Sequence, residues 1–112
     1  MEKSKTPKRG TRLGIVTDFY YAQIPERLIR DSRIPVKARL QYGIYHSHSE
    51  KKDFRKEIPK TNPYQIVIAN ELGCSISSVK RYNRVLQFEG WIKVENRGWQ
   101  ANLITLYSKP RR

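Results

Sequence analysis

A short interval between two helix-forming segments constrains the fold of this chain more than any other sequence feature. Gly73 is expected to end the first segment, because glycine readily adopts the left-handed conformation that terminates helices. Ser75 is well placed to begin the second, since a serine hydroxyl accepts a hydrogen bond from a free N–H group of the first turn. Two helices joined by so short a turn must cross steeply, and the second helix then protrudes from the protein.

Prolines, glycines and apolar spacing predict where the other helices lie. Pro25 and Pro35 suit the start of a helix, because the φ angle of proline is already helical and its missing N–H has no partner there. Gly90 is expected to end the helix that starts at Ser75. The predicted helices cover 26–30, 35–48, 64–72 and 75–89.

The helix over 35–48 carries an apolar stripe. Val36, Leu40 and Ile44 recur at i, i+4 and i+8, which places them on one face of a helix. This spacing predicts that the three side chains face the core, and Tyr45 is a further candidate for the same face.

The helix over 75–89 has an apolar inner face and a polar outer face. Val79 is taken to face the core, and Leu86 lies seven residues further along on the same side. At 100° per residue, the opposite side and its flanks carry hydroxyls near the start of the helix and cations further along. These residues are Ser77, Ser78, Lys80, Arg81 and Arg84. Such side chains can contact phosphates and base edges.

The segments outside the helices predict strands and loops. Residues 13–21 are rich in β-branched and aromatic side chains and are expected to be extended, whereas 49–63 are polar and predict a loop. Residues 91–94 and 103–107 are predicted strands, joined through a turn at 96–98. The expected fold class is mainly α with a small β-hairpin (α+β), with three core helices and a two- or three-stranded antiparallel sheet.

Net charge is the strongest signal in the composition. The chain has 23 Lys and Arg against 10 Asp and Glu, a formal charge of +13. Nucleic acid is the favoured polyanionic partner, because cations that neutralise phosphates release condensed counterions. An anionic membrane and a solubilising surface are the alternatives.

The length of 112 residues predicts one domain, 13–108, between a flexible basic arm at 1–12 and a basic tail at 109–112. No stretch approaches the ~20 apolar residues of a membrane span, and no signal-peptide pattern follows Met1. A cytoplasmic protein is therefore expected. Cys74 is the only cysteine, which excludes an internal disulfide.

No residue pattern indicates catalysis or a cofactor. Phosphate-binding loops, nucleophile elbows and zinc-hydrolase helices are absent from the sequence. His46 and His48 would need further metal ligands, and none lies at a suitable spacing. We expect these histidines to cap a helix or face solvent, and we expect no enzyme activity, no metal and no small-molecule substrate.

Residues 68–92 resemble the winged helix-turn-helix superfamily. The matching residues are Ala69, Leu72, Gly73, Ser75, Ser78, Val79, Arg81, Leu86, Gly90, Trp91 and Ile92. Upstream, residues 24–31 and 34–42 are similar to a narrower group. That group comprises the helix-turn-helix modules of plasmid and phage replication initiators and mobile-element accessory proteins.

The resemblance implies a winged helix-turn-helix protein that binds double-stranded DNA. Its recognition helix would be at about 75–89 in the major groove, with a wing at 94–102 and the basic ends on the backbone. The candidate contacts are Ser75, Ser77, Ser78, Lys80, Arg81, Arg84, Arg97 and Trp99. The implied role is regulation, replication or transfer of a plasmid, phage or other mobile element. A homodimer, or several copies on adjacent sites, would supply more contact surface.

Three residues and two other functions leave alternatives open. Trp99 either contacts a groove or folds back over the core. Asn83 stands where such helices are usually apolar, so it needs a buried partner or the helix is rotated. Phe88 falls on the outer face and would pack on the basic arm or on a partner. The alternative functions are an RNA-binding or ribosome-associated protein and a winged-helix protein-interaction module.

Overall fold

The computed structural model describes residues 22–49, 58–98 and 100–111, and the structural statements below concern these residues. Within them, four helices and a three-stranded antiparallel sheet form an α+β fold, which confirms the expected α+β class. Three expectations lie outside the described residues: the flexible arm at 1–12, the extended segment at 13–21 and the contact made by Trp99.

The helices begin and end close to the predicted positions. They are α1 (Glu26–Ile29), α2 (Val36–His48), α3 (Gln65–Leu72) and α4 (Ile76–Phe88). Pro25 and Pro35 immediately precede α1 and α2, with φ angles of −54° and −52°. These angles lie close to the value that the proline ring imposes, so both prolines favour the entry into a helix.

Three strands form the sheet in the order β1-β3-β2. They are β1 (Lys60–Thr61), β2 (Ile92–Arg97) and β3 (Gln100–Leu106). The prediction of an uninterrupted loop over 49–63 is wrong at β1, where Lys60 pairs with Thr105 and Thr61 with Ile104. A two-residue strand is too short to show alternating polarity, and its pairing depends on a partner more than forty residues away in the sequence.

The core lies between the helices and one face of the sheet. Its buried side chains include Leu28, Ile34, Ala38, Tyr42, Tyr45, Ile68, Val79, Leu86, Trp91, Ile104 and Leu106. Burial of each large apolar side chain stabilises the fold by about 1.5–3 kcal/mol. The rings of Tyr42 and Trp91 meet edge to face at 6.4 Å, a favourable arrangement for an aromatic pair.

The prediction for the inner face of α2 is wrong at Val36 and Leu40. In contrast, Ile44 packs against the core and Tyr45 is buried, as expected. Val36 and Leu40 are 61% and 47% exposed, whereas Ala38, Tyr42 and Tyr45 are buried. Helix α2 therefore carries apolar residues on two opposite sides, and spacing alone does not decide between them. The side with the tyrosines is buried because it covers more apolar area and its hydroxyls find acceptors.

None of the helices in the described parts of the chain is long and apolar enough to cross a membrane.

Candidate functional site

The turn between α3 and α4 is built as the sequence predicts. Gly73 has a left-handed backbone (φ 74°, ψ 42°), and the N–H groups of Gly73 and Cys74 both donate to the carbonyl of Ala69, at 2.9 and 3.0 Å. The Oγ of Ser75 accepts a hydrogen bond from the N–H of Ser78 at 3.1 Å, which caps the first turn of α4. Both ends of the turn are thus fixed by local hydrogen bonds.

A buried polar cluster sets the rotation of α4 about its axis. The Oδ1 of Asn83 accepts hydrogen bonds from Nε2 of Gln41 at 2.8 Å and from the hydroxyl of Tyr45 at 2.6 Å. Gln41 also donates to the carbonyl of Val79 at 3.2 Å. These bonds supply the buried partner that Asn83 requires, so the unusual asparagine holds the inner face of α4 against α2.

The outer face of α4 carries three cations and two uncharged polar residues, as predicted, together with the apolar Phe88. Its exposed residues are Ser77, Lys80, Arg81, Arg84, Gln87 and Phe88. No carboxylate occurs between Ile76 and Phe88. The guanidinium of Arg81 lies 5.1 Å from the ring centre of Tyr82. Among the described residues, neither Lys80 nor Arg84 has an ion-pair or hydrogen-bond partner.

The carboxylates of the described residues are paired elsewhere. Each of the five lies within 3.7 Å of a basic side chain; the pairs are Glu26–Arg30, Asp31–Arg33, Glu89–Arg33, Glu71–His48 and Glu95–Lys93. None of these pairs includes a cation of α4. Within the described residues, the positive charge of the outer face of α4 is therefore not neutralised by a carboxylate.

The three serines near the start of α4 differ in what their hydroxyls do. Ser75 and Ser78 are used within the protein, since the Ser75 hydroxyl caps the Ser78 N–H and lies 3.1 Å from the Ser78 hydroxyl. Ser77 is exposed and has no such bond in the described residues. Of the three, Ser77 has the hydroxyl most available to a ligand.

The hairpin of β2 and β3 is held by its own side chains. Gly98 has a φ angle of 71°, and its N–H donates to Oδ1 of Asn96 at 2.8 Å. Arg97 is exposed, and its Nε and Nη2 donate to the carbonyl of Ala101 at 3.1 and 2.9 Å. The structure thus places Arg97 in a bond across the hairpin while the residue stays exposed.

Sequence reasoning missed one residue that joins α4 to the hairpin. The Oε1 of Gln87 accepts a hydrogen bond from the N–H of Val94 at 2.6 Å. Gln87 lies near the end of α4 and Val94 lies within β2, so the bond spans the turn at Gly90. No sequence pattern signals it, because exposed glutamines are common on helices and the partner is a backbone group.

The two histidines of α2 have structural contacts. His46 is buried, and its Nδ1 accepts a hydrogen bond from the N–H of Gln23 at 3.0 Å, so the expected capping or solvent role is wrong for this residue. His48 lies 2.7 Å from a carboxylate oxygen of Glu71. The described residues contain no group of side chains that could hold a metal ion.

Comparison with known proteins found no matching family model, no similar curated protein and no similar solved structure.

Proposed function

We propose that this chain is a winged helix-turn-helix protein that binds double-stranded DNA. Helix α4 enters the major groove, and the hairpin of β2 and β3 and the basic ends of the chain contact the phosphate backbone. The protein acts by binding rather than by catalysis, with no metal or cofactor.

The outer face of α4 is the observation that carries this proposal. Three exposed cations, Lys80, Arg81 and Arg84, lie on a thirteen-residue helix without a carboxylate. The opposite face is anchored in the core through Val79, Asn83 and Leu86. A helix fits the major groove, which is about 12 Å wide, and arginine can hold guanine by two hydrogen bonds there.

The order of the elements supports the same proposal. Helices α2, α3 and α4 are followed by a hairpin, and the turn between α3 and α4 has only three residues, 73–75. In this proposal Ser77, Arg81 and Arg84 contact base edges, and Lys80 and Arg97 contact phosphates. Ser75 and Ser78 lie at the positive end of the α4 dipole, where a phosphate is favoured. Trp99 is also proposed to contact DNA.

The proposed partner is duplex DNA rather than RNA or a protein. The major groove of A-form RNA is too deep and narrow to admit a helix, so the outer face of α4 favours DNA. Binding as a homodimer or in adjacent copies, and a role in regulation, replication or transfer of a mobile element, are parts of this proposal.

The test is a selection of preferred sites from a pool of random duplexes. We expect the wild-type protein to enrich a common motif. The double variant Arg81→Ala and Arg84→Ala is expected to lose the motif, with a loss of about 1–3 kcal/mol for each base contact removed. The matched control is Arg27→Ala with Arg30→Ala, which removes the same charge from α1, a helix that packs against α2.

The control distinguishes sequence-specific contacts of α4 with DNA from the general attraction of a positively charged protein to DNA. If both double variants lose the motif equally, net charge and not the outer face of α4 governs binding. A wild-type protein that prefers RNA duplexes or loops would contradict the DNA proposal. An acidic protein that binds wild type and the Arg81, Arg84 variant equally well, with no duplex bound, would favour the protein-interaction alternative.

A further inference from the structure

The proposed interface has two parts that belong to different elements. Helix α4 ends at Phe88, and β2 begins at Ile92, with a turn between them that includes Gly90. Trp91 N–H donates to the Leu86 carbonyl at 2.9 Å where the turn leaves α4, but the hairpin extends beyond this point, and any change in its angle to α4 would alter the distance between helix and hairpin along the DNA. Contacts that fix this angle therefore matter for binding.

The bond from Val94 N–H to Gln87 Oε1 is such a contact. Within the described residues, strand β2 lies at an edge of the three-stranded sheet and pairs with β3 on one side. The N–H of Val94 donates to the side chain of α4 at 2.6 Å. The bond uses a backbone donor, so it fixes the position of the strand itself rather than of a mobile side chain.

The elements on both sides of this bond are held by further contacts. The Val94 side chain packs against the core, and the hairpin beyond it is held by the bonds of Arg97 and Asn96. The turn is held as well, since Gly90 has a φ angle of 84° and its carbonyl accepts a hydrogen bond from Arg111 N–H at 2.7 Å. Gln87 is the side chain of α4 that reaches the hairpin backbone.

We propose that Gln87 is a positioning residue that holds the hairpin at a fixed angle to α4, so that both bind DNA as one preformed unit. This inference rests on the proposed function. A preformed pair of contacts loses less conformational entropy on binding than two independently moving ones, which raises affinity without a new contact. Gln87 acts through the hairpin and not on the DNA.

The test is a double-mutant cycle on the selected duplex. Gln87→Met keeps the length of the side chain and removes the acceptor, and we expect affinity to fall about tenfold. In an Arg97→Ala background, where the hairpin contact is already weakened, the same change is expected to lower affinity less than threefold, because the two residues act on the same contact. Gln23→Met, at an exposed glutamine before α1, is the matched control and is expected to bind like wild type.

Hydrogen exchange of the Val94 amide in the free protein gives a readout that does not depend on DNA. We expect exchange to be faster in Gln87→Met and unchanged in Gln23→Met. Equal fold losses from Gln87→Met in both backgrounds would indicate a direct DNA contact and would overturn the inference, as would an unchanged Val94 exchange rate. A wild-type protein that binds no duplex would instead refute the proposed function, so the two failures are distinguishable.

Discussion

Helices α2 and α4 are both thirteen residues long and pack against each other, yet they present opposite surfaces to solvent. The outer side of α2 carries the apolar Val36 and Leu40, which are 61% and 47% exposed, whereas the outer side of α4 carries three cations.

The cations of the two helices also differ in whether they donate hydrogen bonds within the protein. On α2, Lys37 donates to the carbonyl of Gly73, and Arg39 donates to the carbonyls of Ile29 and Ile34. On α4, Lys80 and Arg84 have no such acceptor in the described structure. The comparison shows that residue type does not tell which lysines and arginines stabilise the fold and which are available to a ligand. Their positions and hydrogen-bond partners do.

The largest expected effect is a loss of stability on the buried side of α4, compared with the same substitution on the outer side of α2. Leu86→Ala should lower the free energy of unfolding by about 2–5 kcal/mol, because it leaves a cavity in the core. Leu40→Ala makes the same chemical change at a half-exposed site and should lower it by no more than about 1 kcal/mol. Urea denaturation measures both. Equal losses would show that the outer side of α2 is buried.

The stability that the contact between α2 and α4 contributes should fall at alkaline pH. Burial raises the pKa of Tyr45 to about 12 from an ordinary 10.0. The unfolded chain therefore loses this proton first, so the stability that Tyr45 contributes is full below about pH 10 and falls as the pH rises towards 12, by about 1.4 kcal/mol per pH unit. Burial also raises the pKa of Tyr42, which adds a loss in the same direction. Tyr45→Phe should reduce this slope, and Tyr64→Phe at an exposed position should not. Thermal unfolding between pH 8 and 11 checks the prediction, and parallel slopes in both variants would contradict it.

The polar cluster between the helices is expected to have a somewhat smaller effect. Asn83→Ala removes the acceptor of Tyr45 and one acceptor of Gln41, and should lower the free energy of unfolding by about 1–3 kcal/mol. Asn70→Ala, at an exposed position of α3, is the control. The loss at Asn83 should shrink in a Tyr45→Phe background, where one donor is already absent. Full additivity would argue against the cluster.

The smallest expected effects come from removing one cation of each kind: Arg39, which bonds within the protein, and Lys80, which has no such bond in the described residues. Arg39→Ala should lower the free energy of unfolding by about 1 kcal/mol and leave the salt dependence of DNA binding unchanged. Lys80→Ala should leave stability within about 0.5 kcal/mol and reduce the slope of log K against log salt by about 0.9, one phosphate contact. Denaturation and binding titrations measure both quantities. The reverse pattern would contradict the assignment of these cations.

The elements whose signals are local were predictable from the sequence. Gly73 and Ser75 define the ends of two helices through backbone preferences of single residues, and α4 has one apolar side, so its outer face followed from Val79 alone. Helix α2 has two apolar sides, and the choice between them depends on acceptors elsewhere in the chain.

The features that were missed depend on contacts between distant segments. Strand β1 exists because Lys60 and Thr61 meet β3, and Gln87 matters because of a backbone group in β2. Asn83 illustrates an intermediate case. The resemblance left two alternatives for it, a buried partner or a rotated helix, and its partners on α2 were not predicted, because nothing local identifies Gln41 and Tyr45 as donors.

The most direct test of the central claim is methylation protection of guanine N7 on the selected duplex. This atom lies in the major groove, where the guanidinium groups of Arg81 and Arg84 are proposed to bind. We predict that wild type and the Arg27, Arg30 control variant protect guanines of the motif, whereas Arg81→Ala with Arg84→Ala does not, even at concentrations that saturate the DNA. Guanines that stay fully reactive beneath bound wild-type protein would contradict the account.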